Sequence, residues 1–325
     1  MKAIVCRELG APSVLRLEEL PEPEMGPGQA RVKINAAGLN FPDILTVEGV
    51  YQHKPPLPFI AGFETAGEVI EVAPDVSNVA PGDRVMMSVR PGGFAEQAVA
   101  DASLLIPTPD PFDDVTAAAF RVTYFTAYHC LFQRGGLRQG EWVLINGATG
   151  GVGLAAVELA KLHGAKIIGT GGDDGKLEVV RDYGADHVIN YQKGEFRNEV
   201  KEITGGKGVN LVYDPVGGDV FDQSLRCMAW HGRLVSLGFT SGRIPELPLN
   251  YALIKGLTIM GCRAGEARRN DPDAGDRELA EILALANAGK LHPYVSHTLP
   301  FERAVEGMHL LMDRKVIGKL VFTMN

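Results

Sequence analysis

The sequence predicts an α/β protein of two domains, a mostly antiparallel β domain and a doubly wound parallel sheet. Three observations predict it. From residue 142 to 262, apolar strands (WVLIN, AKIIGT, HVINY, GVNLVYD, GRLVSLG, LTIMGC) alternate with helical patterns such as LAAVELAKLHG and GDVFDQSLRCMAW, which implies right-handed β-α-β crossovers. Before residue 115 the chain is instead rich in β-branched residues and punctuated by Pro and Gly. Finally, 325 residues with 45% hydrophobic content exceed one typical domain and can bury a large core.

In chain order, PEPEMGPGQ, APDVSNVAPGD and PTPDPFDD read as turns between the short strands ARVKINAAG, AGEVIEV and DRVMMSV. The run DDVTAAAFRVTYFTAYHCLFQRG then reads as one long apolar helix leading into the alternating region. The tail, RELAEILALANAGK, FERAVEGMHLLMDRK and GKLVFT, reads as two helices and a strand that return to the first domain. The expected division is therefore 1–122 with 264–325 for the β domain, and 123–263 for the parallel sheet.

Composition narrows the function. A net charge of −8 disfavours a nucleic-acid partner, which needs clustered Lys and Arg to release counterions. The first residues, MKAIVCRELG, lack a signal peptide's apolar core, and no run approaches the ~18 apolar residues of a membrane span. The expectation is a cytoplasmic protein without membrane partners. Cys6, Cys130, Cys227 and Cys262 lie far apart, so reduced core thiols are expected rather than a disulfide framework or zinc ribbon.

The stretch INGATGGVGLAAVELAKLHGAKIIGTGGDDGK carries the chemistry. Ala148, Gly150 and Gly153 stand between an apolar strand and a helix, an AXGXXG form of the dinucleotide fingerprint. A Cβ at Gly150 would hold a pyrophosphate away, and N–H groups of the helix start, those of Gly151 and Val152 included, favour an anion. Gly153 lets the helix pack close to the sheet. An NAD site usually places Asp or Glu roughly 20 residues later to bind the ribose 2′-hydroxyl. Here Gly171 or Gly172 occupies that position, leaving room for a 2′-phosphate that Lys176 can neutralise. NADPH is the expected cofactor. Asp173 and Asp174 oppose this if they point inward, and do not if they cap the next helix.

With these residues in view, GEWVLINGATGGVGLAAVELAK resembles the signature of the quinone oxidoreductase and zeta-crystallin branch of the medium-chain dehydrogenases. Thr149 and Glu158 depart from it, though neither side chain enters the phosphate argument. AAGLNFPDILTVEGVY, PFIAGFETAGEV, PGDRV, GGFAEQ, TYFTAY, GADHVINY, DPVGGDVF, GRLVSLGF and GKLVF have counterparts in the same order. The resemblance implies a GroES-like β domain beside a Rossmann domain. It also implies that Asn40, Thr126, Val216, Gly238 and Phe239 surround the nicotinamide, with Tyr191 beside the adenosine and Lys319 near the cofactor cleft. Tyr51 matches a tyrosine at the substrate entrance, or is a packed loop aromatic. Arg263 stands where relatives place an aromatic, and reads either as a cleft cation for an anionic or thioester substrate or as a solvated charge.

Zinc-dependent members of that superfamily carry a Cys where this chain has Asn40, a His where GFETAG has Phe63, and a four-Cys lobe without counterpart here. His53, His129 and His231 lie apart from other ligand types, so no metal site is expected. Without a Lewis acid the substrate must accept hydride unaided, which suits quinones and α,β-unsaturated carbonyls. The expected activity is NADPH-dependent quinone reduction. A 2-enoyl thioester or enone reductase is the enzyme alternative, and an NADPH-binding structural or RNA-associated protein the non-enzyme one. A homodimer is expected through LTIMGC, read as an edge strand of the parallel sheet.

Overall fold

The computed structural model describes residues 1–89 and 92–324. The chain forms two compact units: Met1–Arg121 with His292–Asn325, and the continuous segment Val122–Leu291.

The second unit is built on six strands in the order His187–Asn190, Lys166–Gly171, Trp142–Ile145, Val209–Asp214, Met228–Ser236, Thr258–Gly261. All five pairings are parallel. Helical crossovers cover both faces of such a sheet, which is why its strands read as continuous apolar runs. Val143, Leu144 and Ile145 are fully buried, as are Ile167 and Ile168 beside them. Numbered along the chain, the strands lie 3-2-1-4-5-6, the doubly wound Rossmann order. The order reverses between Trp142–Ile145 and Val209–Asp214, the switch point beside which ligands bind in open sheets of this kind. The strand read from LTIMGC is the sheet's edge.

The first unit holds a seven-stranded sheet whose path runs Val295–Pro300, Lys319–Thr323, Gln29–Gly38, Glu64–Val72, Arg84–Ser88, Ile106–Pro107, with Gln97–Asp101 paired to Gln29–Gly38. Only the first pairing is parallel. A three-stranded sheet of Arg16–Glu19, Lys2–Cys6 and Phe59–Ile60 accompanies it. Strand Lys319–Thr323 is therefore an inner strand, and its Leu320 and Phe322 pack in one core with Ile44, Val47, Phe94 and Met308. This is the GroES-like β domain.

Three sequence expectations need revision. The long helix expected from residue 113 is interrupted: Asp114–Ala118 ends at Ala119, Arg121–Tyr128 follows, and His129–Arg134 widens into a π-helical turn. Phe120, fully buried edge-on against Phe112, anchors the break. The segment 264–291 belongs to the second unit rather than the first. Side-chain pairing explains this, because helix Pro272–Asn287 sends Glu278 to the buried His129 at 2.8 Å and Glu281 to Tyr128. His129 is thus a satisfied core histidine. The tail also contains a strand that the sequence pattern hides, Val295–Pro300. Its apolar signal is diluted by Ser296, His297 and Thr298.

Candidate active site

The glycine turn of the second unit is shaped by close approach. After Trp142–Ile145 the chain passes Gly147, whose φ of 57° lies in the left-handed region that a side chain disfavours. A Cβ on Gly153 would lie 2.3 Å from the Gly147 carbonyl oxygen, so helix Gly151–Leu162 reaches the turn only because this residue is glycine. At Gly150 an added Cβ would meet nothing nearer than that same oxygen, at 3.5 Å. The turn is therefore packed shut at Gly153 and open at Gly150. Ala148 is fully buried beneath it, while Gly150, Gly151 and Val152 are partly exposed. The N–H groups of Gly151 and Val152 belong to the first helical turn, where no intrahelical acceptor exists. These features fit a pyrophosphate.

A buried polar network holds the strand ends around this turn. Asn146 donates to Asp214 at 3.1 Å and to Ser224 at 3.0 Å, and accepts from Thr170 at 3.1 Å. Asp214 also accepts from the backbone N–H groups of Val216 and Gly217, at 3.1 and 3.2 Å. Burial raises the Asp214 carboxyl above its ordinary range, and the bonds from Val216, Asn146 and Gly217 oppose that rise. The same loop brings together residues that sequence reasoning placed at one end of the cofactor. Ser241 N donates to Val216 O at 3.0 Å, Thr240 N donates to Pro215 O at 3.1 Å, and a Cβ on Gly217 would stand 3.0 Å from the half-exposed ring of Phe239. Gly238 is equally tight, its added Cβ 3.1 Å from Pro215 O. Thr126 lies partly exposed in helix Arg121–Tyr128.

At the end of strand Lys166–Gly171 the two aspartates separate in role. Asp173 caps helix Asp174–Asp182, its side chain accepting from Lys176 N at 2.9 Å. Asp174 instead pairs with Lys193 at 2.7 Å and accepts from Asn190 at 2.9 Å. The Lys193 ammonium, seconded by Asn190, holds the Asp174 carboxyl below its ordinary range. Gly171 is buried and Gly172 exposed, and a Cβ on Gly172 would approach the Tyr191 ring to 3.3 Å. Sequence reasoning missed Lys193 and Asn190. Adjacency to Tyr191 was the only signal available for Lys193.

The first unit buries a second polar cluster. Asn40, the residue before helix Phe41–Val47, donates through its amide to Glu64 at 3.1 Å and to Gly38 O at 3.2 Å. The Lys319 ammonium donates to Asn40 Oδ1 at 2.7 Å, Leu39 O at 2.9 Å and Glu64 at 3.0 Å. Its three hydrogens are thereby matched to three acceptors. Asp43 accepts from Asn40 N at 2.7 Å, and burial pushes its carboxyl up to about 7, against opposition from that bond and from the Lys319 charge. Tyr51 is partly exposed, its ring tilted against Phe63 at 6.2 Å between centroids. Arg263 precedes helix Ala264–Asn270 in the second unit, half exposed and 3.4 Å from Glu266.

Comparison with known proteins agrees with this architecture. Residues 26–110 match the family model for the alcohol dehydrogenase GroES-like domain, and residues 151–281 that for zinc-binding dehydrogenase. A quinone oxidoreductase-like protein 2 homolog of Nematostella vectensis is 38% identical over 323 residues, spanning 98% of this chain and 88% of that protein. The chain belongs to the zinc-independent quinone oxidoreductase branch of the medium-chain dehydrogenase/reductase superfamily. Two solved structures show how members of this superfamily resemble it. Escherichia coli quinone oxidoreductase complexed with NADPH is 30% identical with a TM-score of 0.92, covering 99% of this chain and 100% of that one. An NAD-dependent alcohol dehydrogenase is 34% identical, also with a TM-score of 0.92, covering both chains completely. The donor set does not fit the zinc named by the second family model. Asn40 and Phe63 replace thiolate and imidazole, and the acceptor oxygen of Asn40 already holds an ammonium.

The Asp43 carboxyl makes a test of the first cluster. Its folded value near 7 lies above the ordinary 3.8, so between these values the folded chain binds a proton that the unfolded chain lacks. The stabilisation is complete below pH ~3.8 and is lost as pH rises through about 7. Asp43→Asn, neutral throughout, removes this dependence. Urea unfolding from pH 4.5 to 8 is expected to show wild-type stability falling relative to the variant as pH rises, and a constant gap refutes the assignment.

Proposed function

We propose that this chain is an NADPH-dependent oxidoreductase that reduces a quinone, or another conjugated carbonyl, without a metal. The observation that carries the reading is the end of the second strand. Gly171 and Gly172 stand where a ribose-binding carboxylate would be, Asp173 is turned onto its own helix, and Lys176 follows one turn in. The similar Escherichia coli enzyme complexed with NADPH supports the cofactor, and the quinone oxidoreductase-like relatives support the substrate class.

Bound NADPH supplies the hydride. The N–H groups of Gly151 and Val152 hold the pyrophosphate over the gap left at Gly150, with Ala148 and Gly153 shaping the turn. Lys176 meets the 2′-phosphate and Tyr191 flanks the adenosine. Val216, Gly238, Phe239 and Thr126 of the second unit are assigned to the nicotinamide end. Lys319 acts by holding Asn40, since its own hydrogens are committed. Tyr51 is the substrate-side hydroxyl. Arg263 keeps its ion pair with Glu266 and takes no step in quinone reduction.

A reducing, cytoplasmic setting is part of this reading, following from cysteines scattered at positions 6, 130, 227 and 262. Among the described residues, no helix is long and apolar enough to cross a membrane. A homodimer paired through the edge strand Thr258–Gly261 accounts for the helix Leu249–Lys255 that leads into it. There Leu249, Leu253 and Ile254 are 74%, 81% and 62% exposed. Sedimentation equilibrium is expected to give a dimer, and a monomer at all concentrations ends the proposal.

Two kinetic measurements test the chemistry. Lys176→Ala is expected to raise the NADPH KM about tenfold, the scale of one charge-assisted phosphate contact, with little change for NADH. Equal loss for both cofactors would show that Lys176 does not read the phosphate. The second concerns the proton. A reduced quinone leaves as a hydroquinone anion whose charge spreads through its ring, so water can protonate it. An enoyl thioester leaves a basic enolate that needs a placed acid, and general acid catalysis is typically worth about 10²- to 10⁴-fold. Tyr51→Phe is therefore expected to change quinone turnover by less than about tenfold. A loss of a hundredfold or more, with NADPH affinity intact, would instead favour the enoyl thioester or enone reductase.

A further inference from the structure

The second unit carries an arrangement beside Gly172 that the assignments above leave unused. Two carboxylates follow Gly172 directly, and a phosphate dianion placed there would meet both. Asp173 spends its side chain on Lys176 N, yet it remains a charge. Asp174 caps no helix, and its carboxylate is exposed. Lys176 alone cannot offset both aspartates. The structure supplies a second cation from a different element, Lys193 at the end of the short helix Tyr191–Lys193, with its ammonium 2.7 Å from Asp174 Oδ2. Asn190, at the end of the neighbouring strand, donates to the other oxygen at 2.9 Å. Strand His187–Asn190 pairs with Lys166–Gly171 in parallel register, Gly171 opposite Asn190. That register is what delivers Lys193 to the same end of the sheet as Gly172. The next acid, Glu195, is held 3.0 Å from Arg197 and does not compete for Lys193.

We propose that Lys193 is a specificity-determining residue for the cofactor's 2′-phosphate. It cancels the charge of Asp174 beside Gly172, so that the phosphate meets an arrangement neutral over Asp173, Asp174, Lys176 and Lys193 rather than a net negative one. The inference rests on the NADPH reading given above. Both partners are exposed, with side chains 69% and 59% accessible, so the effect is a screened one and appears as a modest affinity ratio.

Binding of adenosine 2′,5′-bisphosphate and of 5′-AMP to the whole chain, measured calorimetrically at low salt, isolates the 2′-phosphate from the hydride chemistry. Wild type is expected to prefer the bisphosphate. Lys193→Gln is expected to weaken the bisphosphate about five- to tenfold and leave 5′-AMP unchanged. The double variant Lys193→Gln with Asp174→Asn is expected to recover the wild-type bisphosphate affinity within about twofold, because the charge that Lys193 cancels is then gone. If wild type prefers the bisphosphate but Lys193→Gln retains that preference, or loses both ligands equally, this inference is overturned and the cofactor reading stands. Failure of the double variant to recover overturns it as well, by showing that Lys193 does not act through Asp174. Equal affinity of wild type for the two ligands overturns the NADPH reading itself.

Discussion

One buried carboxylate governs the shape of the cofactor unit. Asp214 ends the fourth strand in chain order, and the amide of Asn146, the residue just after the first, reaches it at 3.1 Å. Asn146 also takes the Thr170 hydroxyl from the second strand. Three strands that would otherwise be related only by backbone ladders are therefore set level at their carboxyl ends. Removing any one member would leave a buried polar atom unsatisfied, which costs about 1 to 3 kcal/mol. The two loops that leave at this level, Gly147 to Gly150 and Pro215 to Gly217, inherit their positions from it. Gly147 and Val216 lie so close that a Cβ on the glycine would come within 3.0 Å of the valine.

The first unit solves a different problem with similar means. A cation is present at its centre, but as an ammonium on a side chain. Lys319 sits among a backbone carbonyl, an amide oxygen and a carboxylate, the kinds of oxygen donor that also bind metal ions. Unlike a metal, an ammonium has no vacant orbital and cannot polarise a substrate oxygen by coordination. What it can do is fix the orientation of Asn40. With Lys319 donating to Oδ1 and Glu64 accepting from Nδ2, a flipped amide would set hydrogens against the ammonium and oxygen against the carboxylate.

How far this was readable in advance depended on range along the chain. The six parallel strands, the glycine turn and the edge position of LTIMGC follow from local apolar runs and spacing, because each is fixed by a face that must be buried. The interruption at Phe120 was not visible, since an apolar run looks the same whether the helix continues or turns to bury one ring. Glu278 could not be assigned either, as its partner His129 is 149 residues away. The candidate site divides the same way. Gly150 and Gly153 announce themselves by backbone demands. Asp174 and Lys193 do not, because a carboxylate's effect on a bound phosphate depends on which cation neutralises it. That pairing is made by sheet register.

The inner place of strand Lys319–Thr323 bears on how the chain acquires its fold during translation. The cofactor unit is one uninterrupted segment and has all its residues once Leu291 is made. The β unit is split around it, and its sheet lacks an inner strand until residues 319–323 have been made. Until then Gln29–Gly38 keeps an open edge over residues 36–38, where Lys319–Thr323 later pairs, and Glu64 lacks the Lys319 ammonium. The middle segment therefore has its full set of residues before the unit that begins the sequence does. A chain that stops short of this strand carries an incomplete sheet and leaves Glu64 without the Lys319 ammonium, the kind of defect proteases and chaperones recognise.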